Sequence, residues 1–235
     1  VGSGMCNKRQ LIVGAGPTGL AAALAVGKTG ARVIIADEQY ELGGSLLASS
    51  AVIGEDPAAQ WIAKTALQLE SMDNVQILKR STVFGYYDHN FLAIVERRSD
   101  HLGMKVNSVS RERLHRVRAA QVLLATGAIE RPIVFANNDI PGIMLASSVS
   151  TYVNRYGVTP GERMILFTAN DNAYQCALDW HRAGREVRAV IDSRQEPNGE
   201  MVEAVRTLGI DVLAGHVLIE AHGGKRVTGA SIAPG

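Results

Sequence analysis

Cysteine and net charge are both scarce in this 235-residue sequence. Cys6 and Cys176 are too few and too far apart for a disulfide framework or a thiolate metal site. A reducing, cytoplasmic compartment is the expectation. Lys and Arg number 24 against 23 Asp and Glu, a formal charge of +1. No global field therefore draws the chain toward nucleic acid or an anionic membrane. Long apolar runs are missing as well, none approaching the ~18 residues of a membrane span. Lys8-Arg9 ahead of Leu11 to Val26 imitates a signal peptide, but Gly14, Gly16, Pro17 and Gly19 break the run in a more informative pattern. Val1 to Gly4, ahead of Met5, read as an expression scar.

What is present points to packed domains. A hydrophobic fraction of 46% supports a core and excludes disordered and collagen-like classes. The length fits one large domain or two small ones. Glycine is in surplus at 24 residues, and glycine inside regular elements costs stability, so the surplus belongs in turns. Gln10 to Val13 and Arg32 to Ala36 read as buried strands around an Ala- and Leu-rich helix through Val26, with Gly30 at its C-cap. Strand, helix, strand within ~30 residues is a βαβ unit of a parallel sheet. Asp56-Pro57 predicts an N-cap and first-turn proline for a helix to about Ser71. Short strands follow at Val75 to Leu78, Thr82 to Tyr87 and Phe91 to Arg97, then a loop over 98–113, then strands at Leu114 to Ala119 and Gln121 to Ala125. A helix over Leu145 to Tyr156 leads to a second βαβ pattern: Arg163 to Phe167, Asn172 to Ala183 and Glu186 to Ile191. A helix near Glu200 to Leu208 and strands at Asp211 to Ile219 and Lys225 to Ile232 complete the chain. The expected fold is α/β, two doubly wound dinucleotide-binding-type lobes with a small antiparallel β insert. The expected domains are 5–132 and 133–235.

Gly14-Ala15-Gly16-Pro17-Thr18-Gly19 is a G-x-G-x-x-G turn that follows a strand, opens a helix, and precedes Asp37 at the end of the next strand. That is the context in which the pattern binds a dinucleotide. Gly14 permits the tight turn, Gly16 lets a pyrophosphate approach the backbone, and Gly19 lets the helix pack on the strand. Asp37 can accept hydrogen bonds from a ribose, and no arginine lies near it in sequence, Arg32 being at the strand's other end. Gly27-Lys28-Thr29 imitates a P-loop ending, but Ala22 stands where the earlier glycine is required. The second turn, Thr168 to Ala173, has no glycine, and Asp171 puts negative charge where a pyrophosphate would lie. That carboxylate is expected to cap the following helix, and the second lobe to be structural or an interface. Cys176 reads as a small core residue. His89, His101, His115, His181, His216 and His222 show no metal-ligand spacing. Arg97, Arg98, Lys105, Arg111, Arg113, Arg116 and Arg118 are interleaved with Glu96, Asp100 and Glu112, the pattern of a solvated hairpin edge.

The stretches Leu11 to Leu20, Ala36 to Gln39 with Gly43-Gly44-Ser45, and Leu124 to Ala128 resemble flavoproteins with two dinucleotide-binding domains. More narrowly, Ala125 to Pro132, Asn137 to Ala146 and Phe167 to Tyr174 resemble the alpha subunit of heterotetrameric sarcosine oxidase. The A subunits of hydrogen cyanide synthase and opine oxidases are related to it. The resemblance implies NAD where flavoprotein relatives hold FAD, with FAD in the same site as the alternative. It implies that Gly14, Gly16, Thr18 and Gly19 meet the pyrophosphate. It places Asp37, Glu38 and Gln39 around the adenosine ribose, Ser45 near the phosphates, the Val83 backbone beside the adenine, and Thr126 and Gly127 among the cofactor-binding residues. It further implies amine oxidation at a flavin of a beta subunit in a hetero-oligomer, so no catalytic residue is carried over and this chain alone is not expected to be competent. The family's ferredoxin-like N-terminal region, folate-binding domain and the segment returning to complete the first lobe are not in this sequence, and a fragment is the expectation. A self-contained FAD-dependent oxidoreductase and a non-catalytic scaffold are the rival readings.

Overall fold

The computed structural model describes residues 9–103 and 109–235; Cys6, Lys8 and Lys105 lie outside them. In chain order the first half contains β1 (Gln10–Val13), α1 (Pro17–Gly27), β2 (Val33–Ala36), β3 (Val52–Ile53), β4 (Asp56–Pro57), α2 (Ala58–Glu70), β5 (Val75–Leu78), β6 (Ser81–Tyr87), β7 (Phe91–Arg97), β8 (Glu112–Arg118) and β9 (Gln121–Leu124). The second contains α3 (Ala146–Ser150), β10 (Arg163–Thr168), α4 (Tyr174–Arg182), β11 (Glu186–Asp192), α5 (Glu200–Thr207), β12 (Val212–Ala214), β13 (His216–Gly223) and β14 (Val227–Pro234). Two compact units result. One comprises the described residues up to Leu47 with Ala51–Ala128, the other Ala48–Ser50 with Ile129–Gly235.

In the first unit a parallel sheet runs β5-β2-β1-β9. Gln10 registers with Val33 on one side and Gln121 on the other. Side chains alternate across a strand, and β1 shows what that does. Ile12 faces a cluster with Leu20, Ala23, Val33, Ile35 and Leu69, so α1 and α2 cover that side. Leu11 joins Ile34, Leu78, Leu92, Ile94 and Val117, so the antiparallel sheet β6-β7-β8 covers the other. A strand buried on both faces has to be apolar throughout, which is why β2 reads Val-Ile-Ile-Ala and is buried along its length. The second unit repeats the logic with a parallel sheet β10-β11-β12, whose core gathers Leu166, Tyr174, Trp180, Val190, Val202 and Val205. The β13–β14 hairpin is a separate two-stranded sheet. No helix among the described residues is long and apolar enough to cross a membrane.

Several local expectations are corrected. Asp56 does not cap α2. Asp56 and Pro57 pair with Ile53 and Val52, so Pro57 takes the cap position and the Asp56 carboxylate binds Lys64 instead. The α1 C-cap is Lys28, and Gly30, at φ +80°, closes the turn by donating its N–H to the Gly27 carbonyl. Gly27 is glycine for packing, since a Cβ there would lie 2.9 Å from the Met72 sulfur. The expected loop 98–113 yields its last residues to β8, which begins at Glu112. The helix over Leu145 to Tyr156 is one turn of α3 passing into π-helix at Thr151–Arg155. The strand expected over 211–219 is two strands, because Gly215 at φ +64° turns the chain from the parallel sheet into the hairpin. Apolar periodicity does not mark such a break, and the glycine itself is its one local sign.

Candidate dinucleotide site

Three glycines open α1, and the fold itself requires only two. Gly14 sits at φ +100°, and a Cβ there would lie 2.2 Å from the Ala125 carbonyl oxygen. A Cβ on Gly19 would lie 1.9 Å from the Gly14 carbonyl oxygen. Gly16 has an ordinary φ of −71°. A Cβ on it would meet nothing closer than the Gly44 Cα at 4.0 Å. Protein packing therefore gives no reason for glycine at 16, whereas a ligand pressed against that backbone would. The helix begins there with Pro17 in its first turn, no side-chain cap and no acidic residue. Its first N–H groups, at Thr18 and Gly19, have no intrahelical acceptor and lie at the positive end of the helix dipole. An anion fits that arrangement.

The turn is clamped from two sides. Asp37 directly follows β2, and its Oδ2 accepts from the Ala15 N–H at 2.6 Å while Oδ1 accepts from the Gln39 N–H at 2.8 Å. Each oxygen keeps a second lone pair for a ribose hydroxyl. From the opposite side, the Gly43 N–H donates to the Ala15 carbonyl at 2.8 Å. Gly44, at φ +54°, comes so near Gly16 that a Cβ on Gly44 would lie 2.8 Å from the Gly16 Cα. Ser45, exposed, follows directly. The Asp37 carbonyl accepts from the Ser81 N–H at 2.7 Å and the Gln39 carbonyl from the Arg80 N–H at 2.8 Å, which joins the exposed Glu38 and Gln39 to the start of β6. Val83 lies two residues along that strand, half-buried, beside a register shift at Phe84. Thr126 and Gly127 leave β9 just past Ala125, whose N–H donates to the Val13 carbonyl at 2.8 Å. All eleven residues lie in one unit, around the C-terminal ends of β1, β2 and β9, where open α/β sheets bind ligands.

Two arginines near this run were not legible from the local sequence. The Arg97 Nη2 donates to the Glu38 carbonyl at 2.8 Å across 59 residues. Arg80, held at φ +53°, places its guanidinium 5.3 Å from the Tyr40 ring centroid. The absence of arginine around Asp37 holds in sequence and fails in space. Others of the basic stretch pair locally: Glu96 meets His115 at 2.8 Å and both Arg98 and Arg113 at 3.9 Å, and Arg118 lies over Phe91.

The second turn is built differently. Asn170, not Asp171, takes the cap position, its side chain accepting from the Asn172 N–H at 3.1 Å. Asp171 instead pairs with Arg194 at 2.8 Å, because that guanidinium is already held on the neighbouring strand end. Asp192, the counterpart of Asp37 at the end of β11, is 0% exposed. It accepts from the Tyr174 hydroxyl and the Arg194 Nη2, both at 2.7 Å, and from the Arg194 backbone N–H at 2.9 Å. Burial pushes the Tyr174 phenol up, reinforced by the Asp192 carboxylate. Burial alone would raise Asp192 as well, but the hydrogen bonds from Arg194 and Tyr174 outweigh it and hold the carboxyl below its usual range. Arg194 thus spans from strand end to turn.

Cys176 is buried in the second unit's core, and burial pushes its thiol up to about 11. A protonated, inaccessible thiol is not a nucleophile at neutral pH. Among the described residues no group of His, Cys, Asp and Glu is arranged to hold a metal ion.

Over 184 residues the chain is 50% identical to the sarcosine oxidase subunit alpha of Rhizobium meliloti (strain 1021), covering 78% of this chain and 19% of that protein. Over 213 residues it is 47% identical to the sarcosine oxidase subunit alpha of Corynebacterium sp. (strain P-1), covering 89% of this chain and 22% of that one. The chain spans about a fifth of the length of these curated relatives. Among solved structures, the L-proline dehydrogenase of P. horikoshii superimposes with a TM-score of 0.66 at 20% identity, covering 94% of this chain and 38% of the other, a likeness of fold. Residues 8–231 match the model of the family described as pyridine nucleotide-disulphide oxidoreductase, and the chain belongs to that family.

Proposed function

We propose that this chain is the dinucleotide-binding portion of an oxidoreductase subunit of the sarcosine oxidase alpha type, with NAD bound at the first turn. The open space at Gly16 carries the reading, being the one glycine of the turn that a ligand explains and packing does not. In this reading the Gly16, Thr18 and Gly19 backbone meets the pyrophosphate, Gly14 shapes the turn, and Ser45 approaches the phosphates. Asp37, Glu38 and Gln39 surround the adenosine ribose, the Val83 backbone borders the adenine, and Thr126 and Gly127 close the loop after β9. The division into 5–132 and 133–235 belongs to the same proposal. When bound, the dinucleotide supplies a nicotinamide that can carry a hydride. The chain's own residues bind and orient. Amine oxidation then takes place at the flavin of a partner beta subunit in a hetero-oligomer, in the cytoplasm.

The purified chain is therefore expected to be colourless in the visible, to release NAD on heating, and to produce no peroxide from sarcosine by itself. Absorption spectra before and after heat release check this. A yellow preparation releasing one FAD per chain would establish the FAD-dependent alternative, and NAD release without turnover in any assembly would favour a scaffold.

A carboxylate at the ribose end repels a 2′-phosphate. Two unit charges ~4 Å apart interact by about 4 kcal/mol at an effective dielectric of ~20. A third of that, ~1.4 kcal/mol, is already a factor of ten. NAD is expected to bind at least roughly tenfold more tightly than NADP, and Asp37→Ser to lose most of that preference. The readout is the ratio of the two affinities by calorimetry, because Asp37 also holds the Ala15 N–H and its loss weakens both ligands. Equal wild-type affinities would show that Asp37 does not face the ribose.

A further inference from the structure

We infer that Arg97 is a specificity-determining residue of the first turn's nucleotide site, where it opposes the acidic pair Asp37 and Glu38 and limits the preference for NAD over NADP. This rests on reading that turn as a dinucleotide site. The chain folds so that three consecutive residues at the end of β2 are bonded to basic residues or their neighbours. Asp37 receives the Ser81 N–H, Gln39 the Arg80 N–H, and Glu38 the Arg97 guanidinium. The last is the telling contact, because it fixes a permanent cation within hydrogen-bond distance of the Glu38 backbone, next to two carboxylate-bearing residues. Arg97 is exposed and uses Nη2 for Glu38. A guanidinium has five N–H donors, and a phosphate is its preferred partner in bidentate geometry.

The neighbouring charges make the position sensitive. Asp37 spends one lone pair of each oxygen on the Ala15 and Gln39 N–H groups, so it faces the ribose as an acceptor that is already partly satisfied. Glu38 is exposed and free to turn away. Arg80, whose guanidinium stacks on Tyr40, adds a second cation beside the same run. A 2′-hydroxyl draws little from these cations, whereas a 2′-phosphate draws strongly. Arg97 therefore acts on the ratio of NADP to NAD affinity much more than on NAD binding itself.

The test is equilibrium titration of NAD and of NADP, separately, into the wild-type chain and into Arg97→Gln and Arg97→Lys, with melting temperatures taken alongside. Arg97→Gln keeps an amide able to donate to the Glu38 carbonyl and removes the charge. It is expected to weaken NADP about tenfold and NAD less than about threefold, widening the wild-type preference by the quotient. Arg97→Lys keeps the charge and is expected to hold the wild-type ratio within about threefold. An unchanged ratio in Arg97→Gln overturns the inference, as does an equal loss for both nucleotides, which would make Arg97 a support for the Glu38 backbone only. Wild-type chain that binds neither nucleotide would overturn the site itself. That outcome differs visibly from binding with an unaltered ratio.

Discussion

Substituting Gly16 with valine is expected to lower dinucleotide affinity by about a hundredfold or more while shifting folding stability by no more than ~1 kcal/mol. The added Cβ enters space that the protein does not use, its nearest neighbour being the Gly44 Cα at 4.0 Å. The backbone already has a φ of −71° that any residue adopts. Stability therefore changes only by the loss of a good cap residue, offset by reduced freedom of the unfolded chain. A pyrophosphate pushed off the helix N-terminus loses charge-assisted hydrogen bonds worth about 1.5–3 kcal/mol each. Losing two of them is more than a hundredfold. Gly14→Ala and Gly19→Ala are the contrasting controls. Their Cβ atoms would stand 2.2 Å and 1.9 Å from carbonyl oxygens, and Gly14 has the further strain of its φ of +100°. Each is expected to destabilise by about 3 kcal/mol or more, the sum of overpacking and backbone strain. Thermal melts with nucleotide titration separate the two behaviours. If Gly16→Val still binds NAD with near wild-type affinity, the pyrophosphate does not lie on this turn.

Arg194→Leu is expected to cost about 3–5 kcal/mol, because it leaves Asp192 as a fully buried carboxylate with no cation, held only by the Tyr174 hydroxyl and the backbone N–H of residue 194. For a chain of this size that corresponds to a drop of roughly 10 °C in melting temperature. The pH dependence distinguishes this cause from ordinary packing loss. In the wild type the Asp192 carboxyl is held below its usual range. Its contribution is complete above the unfolded value of about 3.9 and is lost as the pH falls through the lower folded value. Without the guanidinium, burial dominates and the folded value rises above the unfolded one. Arg194→Leu then loses further stability as the pH rises through the carboxylate range, so its deficit relative to wild type is larger at pH 7 than near pH 4. Adding Asp192→Asn removes the buried charge, keeps an acceptor for Tyr174, and is expected to recover more than half of the loss. Urea melts of the two variants across pH 4 to 8 measure all of this. A deficit independent of pH would mean that Arg194 contributes packing alone.

The same residue explains why the second turn diverges from the first. Both follow a parallel strand and open a helix, and both have an aspartate at the end of the next strand. At Asp37 the carboxylate binds backbone N–H groups and retains acceptor capacity. At Asp192 the chain supplies its own cation, bridged onward to Asp171. The glycine-free sequence Thr168 to Ala173 puts side chains where the first turn has bare backbone. Arg194, two residues past the strand, carries no such signal, since an arginine after a strand is ordinary.

By itself the sequence determined what depends on neighbours within one element or one turn. Alternation and β-branching identify β1, β2, β10 and β11, helix formers identify α1, and glycine spacing with Asp37 identifies a dinucleotide turn, because each of these signals is complete within about 30 residues. The glycine pattern already marks Gly16 as the ligand-facing member, and the tertiary structure supplies the contacts behind that, with Ala125 arriving against Gly14 from 111 residues away. The tertiary structure also decided the bend at Gly215, the capping of the second turn by Asn170, and the closing of that turn by Arg194. The approach of Arg97 to Glu38 belongs with these. The Arg194 and Arg97 contacts depend on two segments being brought together by burial of their apolar faces, and a polar contact formed that way leaves no periodicity in the chain for a reader to find.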